Sequence, residues 1–149
     1  MYQREALGLT EARAAVEAAL AEASKEPNRP MAVAVVDDRG DLVYFARMDG
    51  ALPMFAHMAI NKAYTASRMQ RDTASFGDWM KERGRELAVW TDDKFTTVRG
   101  GFAIIKPGEG YLPVGTKQGK LLGGIGASGR SGEEDEQIAF TGLNAIKFS

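Results

Sequence analysis

The run MAVAVVDDRGDLVYFARMDG, residues 31–50, constrains this chain more than any other segment. β-Branched and aromatic residues stand on both sides of Asp38, Arg39 and Gly40, the combination that turns a chain back between two extended segments. An antiparallel hairpin over residues 31–48 is therefore expected, and the other elements are read around it.

Upstream, residues 10–24 are alanine-rich, with Ala12, Val16, Ala19, Leu20 and Ala23 on one helical face and Thr10 as the expected N-cap. Pro27 and Pro30 end that helix. Pro53 suits the first turn of a second helix running to about residue 70, and Thr73 is expected to cap a third that ends near Gly84. Twelve of the 17 glycines lie from Gly100 onward, so this part should hold turns and short strands. Strands are expected near 101–105, 111–116 and 120–127, the last two joined by Lys117, Gln118 and Gly119. Ser131 and Glu134 have capping-box spacing, and Ile138, Ala139, Leu143 and Ile146 follow at helical intervals. The order helix, two strands, helices, three strands, helix permits hairpin connections. It predicts an α+β (mixed α/β) fold, an antiparallel sheet flanked by helices, in one domain spanning residues 1–149 with neither repeat nor linker.

Charge and composition remove several function classes. Nineteen Lys and Arg against 20 Asp and Glu are interleaved without blocks, so no basic stripe for a phosphate backbone is visible and nucleic acid is not an expected partner. The absence of cysteine excludes disulfides, thiolate zinc sites and thiol nucleophiles. No secretory signal or membrane span is recognisable, so no membrane association and a cytoplasmic location are expected.

Three constellations could carry chemistry. Gly124, Gly126 and Gly129 spell G-x-G-x-x-G between an expected strand and an expected helix. A dinucleotide site would need a second parallel strand and an acidic residue about 20 positions on, for which the sequence leaves no room. The same glycines could pack strand against helix, or offer amides to a carboxylate. In the second helix, Phe55, Met58, Ala59, Ala63, Ala66 and Met69 form an apolar stripe that contains Lys62. A cation there needs a partner, with Asp49 and Asp135 as candidates, or a pocket in which it meets a ligand carboxylate. His57, Asn61, Tyr64 and Arg68 line another face of that helix. His57, the one histidine, could be solvated, act in acid/base chemistry, or ligate haem iron. His57 and Lys62 are about 140° apart around the helix and are not expected to share a site within one subunit. No Ser-His-carboxylate triad can be assigned, and Asp37 and Asp38 read as turn residues rather than a catalytic dyad. Met48, Met54, Met58 and Met69 suit adaptable packing or the wall of an apolar planar ligand.

Taken together, AVVDDRGDLVYFARMDGA, AINKAYTA and GKLLGGIGASGRSGEEDEQIA resemble the GlcG/HbpS family of haem-binding-like proteins, which includes the C-terminal domain of PduO-type proteins. The resemblance runs from about residue 10 to 144. It implies a profilin-like fold and homo-oligomers, often octamers; several members bind haem, and others are encoded beside catabolic enzymes. The family's VVD and MDG elements fall at 35–37 and 48–50, its KA-T-A element at 62–66, and its G-x-S-G and DE elements at 126–129 and 135–136. The segment 71–102 departs from the family's usual proline-threonine stretch.

The leading expectation is thus an oligomeric small-molecule-binding protein that takes haem. Its candidate ligand-binding residues are Asp49, His57, Lys62, Tyr64, Gly124, Gly126, Ser128 and Glu134, with His57 or Tyr64 near the iron and Lys62 or the amides of 124–129 holding a carboxylate. The alternatives are a small catabolic enzyme for a carboxylate or carbonyl compound, with His57 and Lys62 as acid/base groups, and an accessory subunit that binds another protein.

Overall fold

The structure is a computed structural model that describes the backbone of residues 1–111 and 118–149 and the side chains outside 109–118. The elements in chain order are α1 (Leu9–Ala23), β1 (Ala32–Asp37), β2 (Leu42–Arg47), α2 (Pro53–Arg68), α3 (Thr73–Glu82), a short 3₁₀ turn (Leu87–Trp90), β3 (Gly101–Tyr111), β4 (Gln118–Ser128) and α4 (Gly132–Asn144). The four strands make one fully antiparallel sheet in the order β2-β1-β4-β3, the α+β arrangement expected.

The hairpin forms because its turn residues satisfy one another. The Asp37 carboxylate accepts from the amides of Arg39 and Asp41 at 2.9 and 3.0 Å, and Gly40 sits at φ 89°, where a side chain would be strained. Asp37 therefore serves the turn, and Asp38, within it, pairs with Arg4. A register shift at Val35/Val36 absorbs one residue of β2.

Alternation along β1 sorts the two faces of the sheet. Val33 and Val35 join Ile104, Leu122, Ile125 and Ala127 beneath α1 and α4, forming the larger core with Ala12, Ala15, Val16, Ala19, Ile138 and Ala139. Ala32, Ala34 and Val36 point the other way, against Ala59 and Ala63 of α2. That second face is built from small residues, and the glycines of β4 belong to it. A Cβ on Gly124 would stand 2.2 Å from the Ala63 carbonyl oxygen, and one on Gly126 2.2 Å from that of Ala59. The G-x-G-x-x-G motif thus works here as a bed for α2, the packing use of glycine rather than the phosphate-binding one.

Several expectations at element ends are corrected. Helix α1 begins two residues earlier, with Gly8 rather than Thr10 at the N-cap; Leu7 is buried there and anchors the chain's entry. Asp72, not Thr73, is the N-cap of α3, because the Thr73 hydroxyl is used elsewhere, accepting from the Gly101 amide at 3.1 Å. Strand β3 runs on through Pro107 and Gly108 to Tyr111, beyond the expected end at residue 105. It is an edge strand, the position in a sheet where proline is tolerated. Gln118 and Gly119, expected in a turn, open β4. The expected strand 111–116 and Lys117 lie, past Tyr111, outside the described residues.

The C-terminal end of α1 would leave carbonyls without partners, and Arg130 supplies donors for that region. Its side chain, 4% exposed, donates to the carbonyls of Ala23, Glu26 and Arg29 and faces Glu26. Arg130 thereby ties the β4–α4 junction to the loop that precedes β1.

Candidate functional site

Helix α2 positions most of the candidate residues, and its three sides do different work. The alanine side lies on the glycine bed of β4. The second side carries Lys62, and the third carries His57, Asn61, Tyr64 and Arg68. Buried hydroxyls fix the helix in place: Ser67 donates to the Asp37 carbonyl at 2.6 Å, and Thr65 accepts from the Thr96 amide at 3.0 Å.

Lys62 is 1% exposed. Its ammonium donates at 2.9 Å both to Asp135 Oδ2 and to the Ala127 carbonyl, where β4 leaves the sheet and α4 begins. The other carboxylate oxygen of Asp135 accepts from the Arg130 amide at 2.9 Å. Burial pushes the Asp135 carboxyl above the ordinary carboxylate range, against the pull of the Lys62 charge and of the Arg130 and Gly129 amides. Of the two partners the sequence offered, Asp135 is the one found. Asp49 is exposed in the turn after β2 and makes no ion pair with Lys62. A sealed, fully engaged ammonium is a structural staple between α2, β4 and α4. It has no open approach for a substrate, and it does not snorkel to solvent.

His57 lies on the exposed side of α2, and Asn61 holds it: the amide nitrogen and His57 Nε2 are 3.1 Å apart. That contact engages Nε2 and leaves Nδ1 as the ring's other nitrogen. Exposed Leu52 and Met54, at 58% and 59%, precede it, with Met54 one helical turn away, and Met58 is half-buried. An imidazole in an apolar, accessible setting is the outcome. The structure does not bring His57 and Lys62 together.

Tyr64, on the same stripe, is differently engaged. Its hydroxyl donates to Asp92 Oδ2 at 2.5 Å, and its ring lies under Arg68 and Lys94 at 5.4 and 5.2 Å. The hydrogen bond holds the phenol above its ordinary value of 10.0 and the Asp92 carboxyl below 3.8. Because the Asp92 value is depressed in the folded state, this bond contributes stability above about pH 4, lost as pH falls through the folded value. Tyr64→Phe should therefore move the Asp92 titration, followed by carboxyl NMR shifts, upward toward 3.8. An unchanged titration would show that Tyr64 does not set it.

The remaining candidates are dispersed. Gly124 and Gly126 sit inside the middle strand β4, paired on both sides, and so present no free amide cradle for a carboxylate. Ser128 ends β4, buried opposite Ala32. Glu134 pairs with Arg29 at 2.6 Å and accepts from the Ser131 hydroxyl at 2.9 Å, while its own amide donates to Ser131 Oγ. Arg29 first, and then Ser131, holds the Glu134 carboxyl below its ordinary range. Among the described residues no three His, Asp or Glu side chains are arranged to hold a metal ion, and no helix is long and apolar enough to cross a membrane.

Sequence reasoning missed the partners in the segment 71–102. Asp92 gave no local sign of pairing with Tyr64, 28 positions away. Phe76, Trp79, Trp90 and Phe95 pack ring against ring, with centroids 5.9 to 6.5 Å apart. The two tryptophans, with aromatic residues between and beyond them, were the available signal.

Comparison with known proteins agrees with this geometry. The family model described as "Haem degrading protein HbpS-like" matches residues 7–144. Protein GlcG of Escherichia coli K12 is 31% identical over 114 residues, covering 76% of this chain and 75% of GlcG. The corrinoid adenosyltransferase PduO of Salmonella typhimurium is 32% identical over 136 residues, which is 90% of this chain but 36% of PduO, so the chain spans about a third of that relative. Among solved structures, a double mutant of Streptomyces reticuli HbpS superposes with a TM-score of 0.81 at 28% identity, covering 99% of this chain and 92% of that one. A PduOC:heme complex superposes with a TM-score of 0.77 at 30% identity, covering 95% and 96%. With the family model matched over nearly its whole length and the same antiparallel sheet between helices, the chain belongs to the HbpS-like family, the GlcG/HbpS group.

Proposed function

We propose that this protein is an oligomeric small-molecule-binding member of its family whose ligand is haem, held through His57 on the outer side of α2. The carrying observation is the exposed imidazole flanked by exposed Leu52 and Met54. Accessible nitrogen beside apolar side chains is the donor chemistry a haem face requires. A solved relative in complex with heme supports the reading.

The residues fit the group in a specific way. His57 offers Nδ1, the ring nitrogen that Asn61 leaves unengaged, and the Asn61 contact at Nε2 fixes the ring's orientation. Tyr64 is the poorer ligand, because Asp92 keeps its hydroxyl protonated. Asp49, exposed on the turn leading into α2, is the second polar group at this end. When bound, haem supplies a redox-active iron. The enzyme alternative has less support: Lys62, one of its two acid/base groups, is sealed against Asp135.

Titration with haem tests the proposal. The expected result is a shifted Soret band that saturates in the wild type and is weakened at least tenfold in His57→Ala. If neither protein shifts the band, the haem reading fails; if both shift it equally, His57 is not the ligand.

A further inference from the structure

Three guanidinium groups converge on one indole in the segment that departs from the family pattern. Arg83, Arg85 and Arg71 lie 5.0, 5.6 and 5.8 Å from the centroid of Trp79. Arg71 follows α2, and Arg83 and Arg85 follow α3, so the fold gathers charges that the sequence spreads over 15 positions, from 71 to 85. Among the described residues, none of the three side chains forms an ion pair or donates a hydrogen bond, although eight other cationic residues among them do form ion pairs. The Nε of Arg71 is buried and has no acceptor.

Electrostatics makes this arrangement incomplete. The ring's quadrupole attracts each cation, but it brings no counter-charge for three of them. Helix C-termini tolerate cations, yet none of the three donates to a carbonyl, so capping does not explain the cluster. Arg83 and Arg85 are exposed and Arg71 keeps a buried Nε without a partner, an arrangement suited to an acceptor with more than one negative charge. The guanidinium fork matches the paired oxygens of a carboxylate or phosphate. The platform is also stiff, since Trp79 stacks on Phe76 and packs against Trp90, at 6.5 and 5.9 Å. Preorganisation of this kind lowers the cost of binding.

We propose that Arg71, Arg83 and Arg85 around Trp79 form a binding site for a small multivalent oxyanion, either a phosphate ester or a polycarboxylate. The site lies on another part of the molecule from His57 and does not depend on haem.

Tryptophan fluorescence reads it directly, and Trp90→Phe leaves Trp79 as the one reporter, since the chain has two tryptophans. Inorganic phosphate and citrate are each titrated at an ionic strength held constant with sodium chloride. A saturable change is expected, weakened at least tenfold in Arg83→Gln/Arg85→Gln, whose sites are exposed, and unaffected by His57→Ala. Arg83→Lys, which keeps the charge and loses the fork, should fall between. Saturation by phosphate alone assigns a phosphate ester, and by citrate alone a polycarboxylate. A response that sodium chloride reproduces, one retained in the double variant, or no response to either anion would overturn the proposal. So would binding confined to a long polyanion such as an oligonucleotide.

Discussion

Asp135→Ala should destabilise the protein by about 3–5 kcal/mol, the usual cost of leaving a buried charge without its partner. The variant strands the Lys62 ammonium where it is 1% exposed and removes the acceptor of the Arg130 amide. Removing both charges at once should cost much less. In Lys62→Met/Asp135→Asn the remaining amide oxygen can still accept from Arg130, and the apolar thioether fills the volume of the lysine stem. Denaturant unfolding of the single and double variants measures the difference. A double variant as unstable as Asp135→Ala would mean that the pair contributes net stability beyond avoiding an orphaned charge. A fully stable Asp135→Ala would contradict the description of Lys62 as a sealed staple.

The second large effect is steric. Gly126→Val should cost at least about 3 kcal/mol, because the added side chain meets backbone that cannot turn aside. Even its Cβ would stand 2.2 Å from the Ala59 carbonyl oxygen and 2.6 Å from the Ala63 amide nitrogen. Helix α2 would have to lift from the sheet, carrying His57 with it, so haem affinity should fall along with stability. Gly84→Ala provides the contrast: a Cβ there meets nothing within 4 Å, and its penalty comes from φ 60° alone. If thermal unfolding shows Gly126→Val to be no worse than Gly84→Ala, the close approach of α2 to β4 is not as described.

These two predictions mark where the sequence was readable and where it was not. The hairpin was legible because its determinants are local: Asp37, Gly40 and the flanking apolar residues act on neighbours a few positions away. The capping of α4 by Ser131 was legible for the same reason. Gly124 and Gly126 were ambiguous, since tight packing and phosphate binding both ask for a missing side chain. Their role became definite only when the alanines of α2 were placed over them. Lys62 shows the limit more plainly. Its position in an apolar stripe announced a partner, but the choice between Asp49 and Asp135 rests on a contact 73 positions long. The arginines around Trp79 were hidden by interleaved charges, which fold to one place although they are not adjacent in the chain. The long run of β3 through Pro107 was missed because tolerance of proline depends on an edge position, a property of the sheet and not of the strand.

For function, the decisive contrast lies within α2 itself. His57 and Lys62 were both candidate binding groups, and the structure exposes the first and encloses the second. A haem titration followed at the Soret band, run in parallel on the wild type, His57→Ala and Lys62→Met/Asp135→Asn, separates them. The expected result is loss of binding in His57→Ala and retention in the charge-free double variant. Binding that survives in His57→Ala but disappears in a folded Lys62→Met/Asp135→Asn protein would contradict the account.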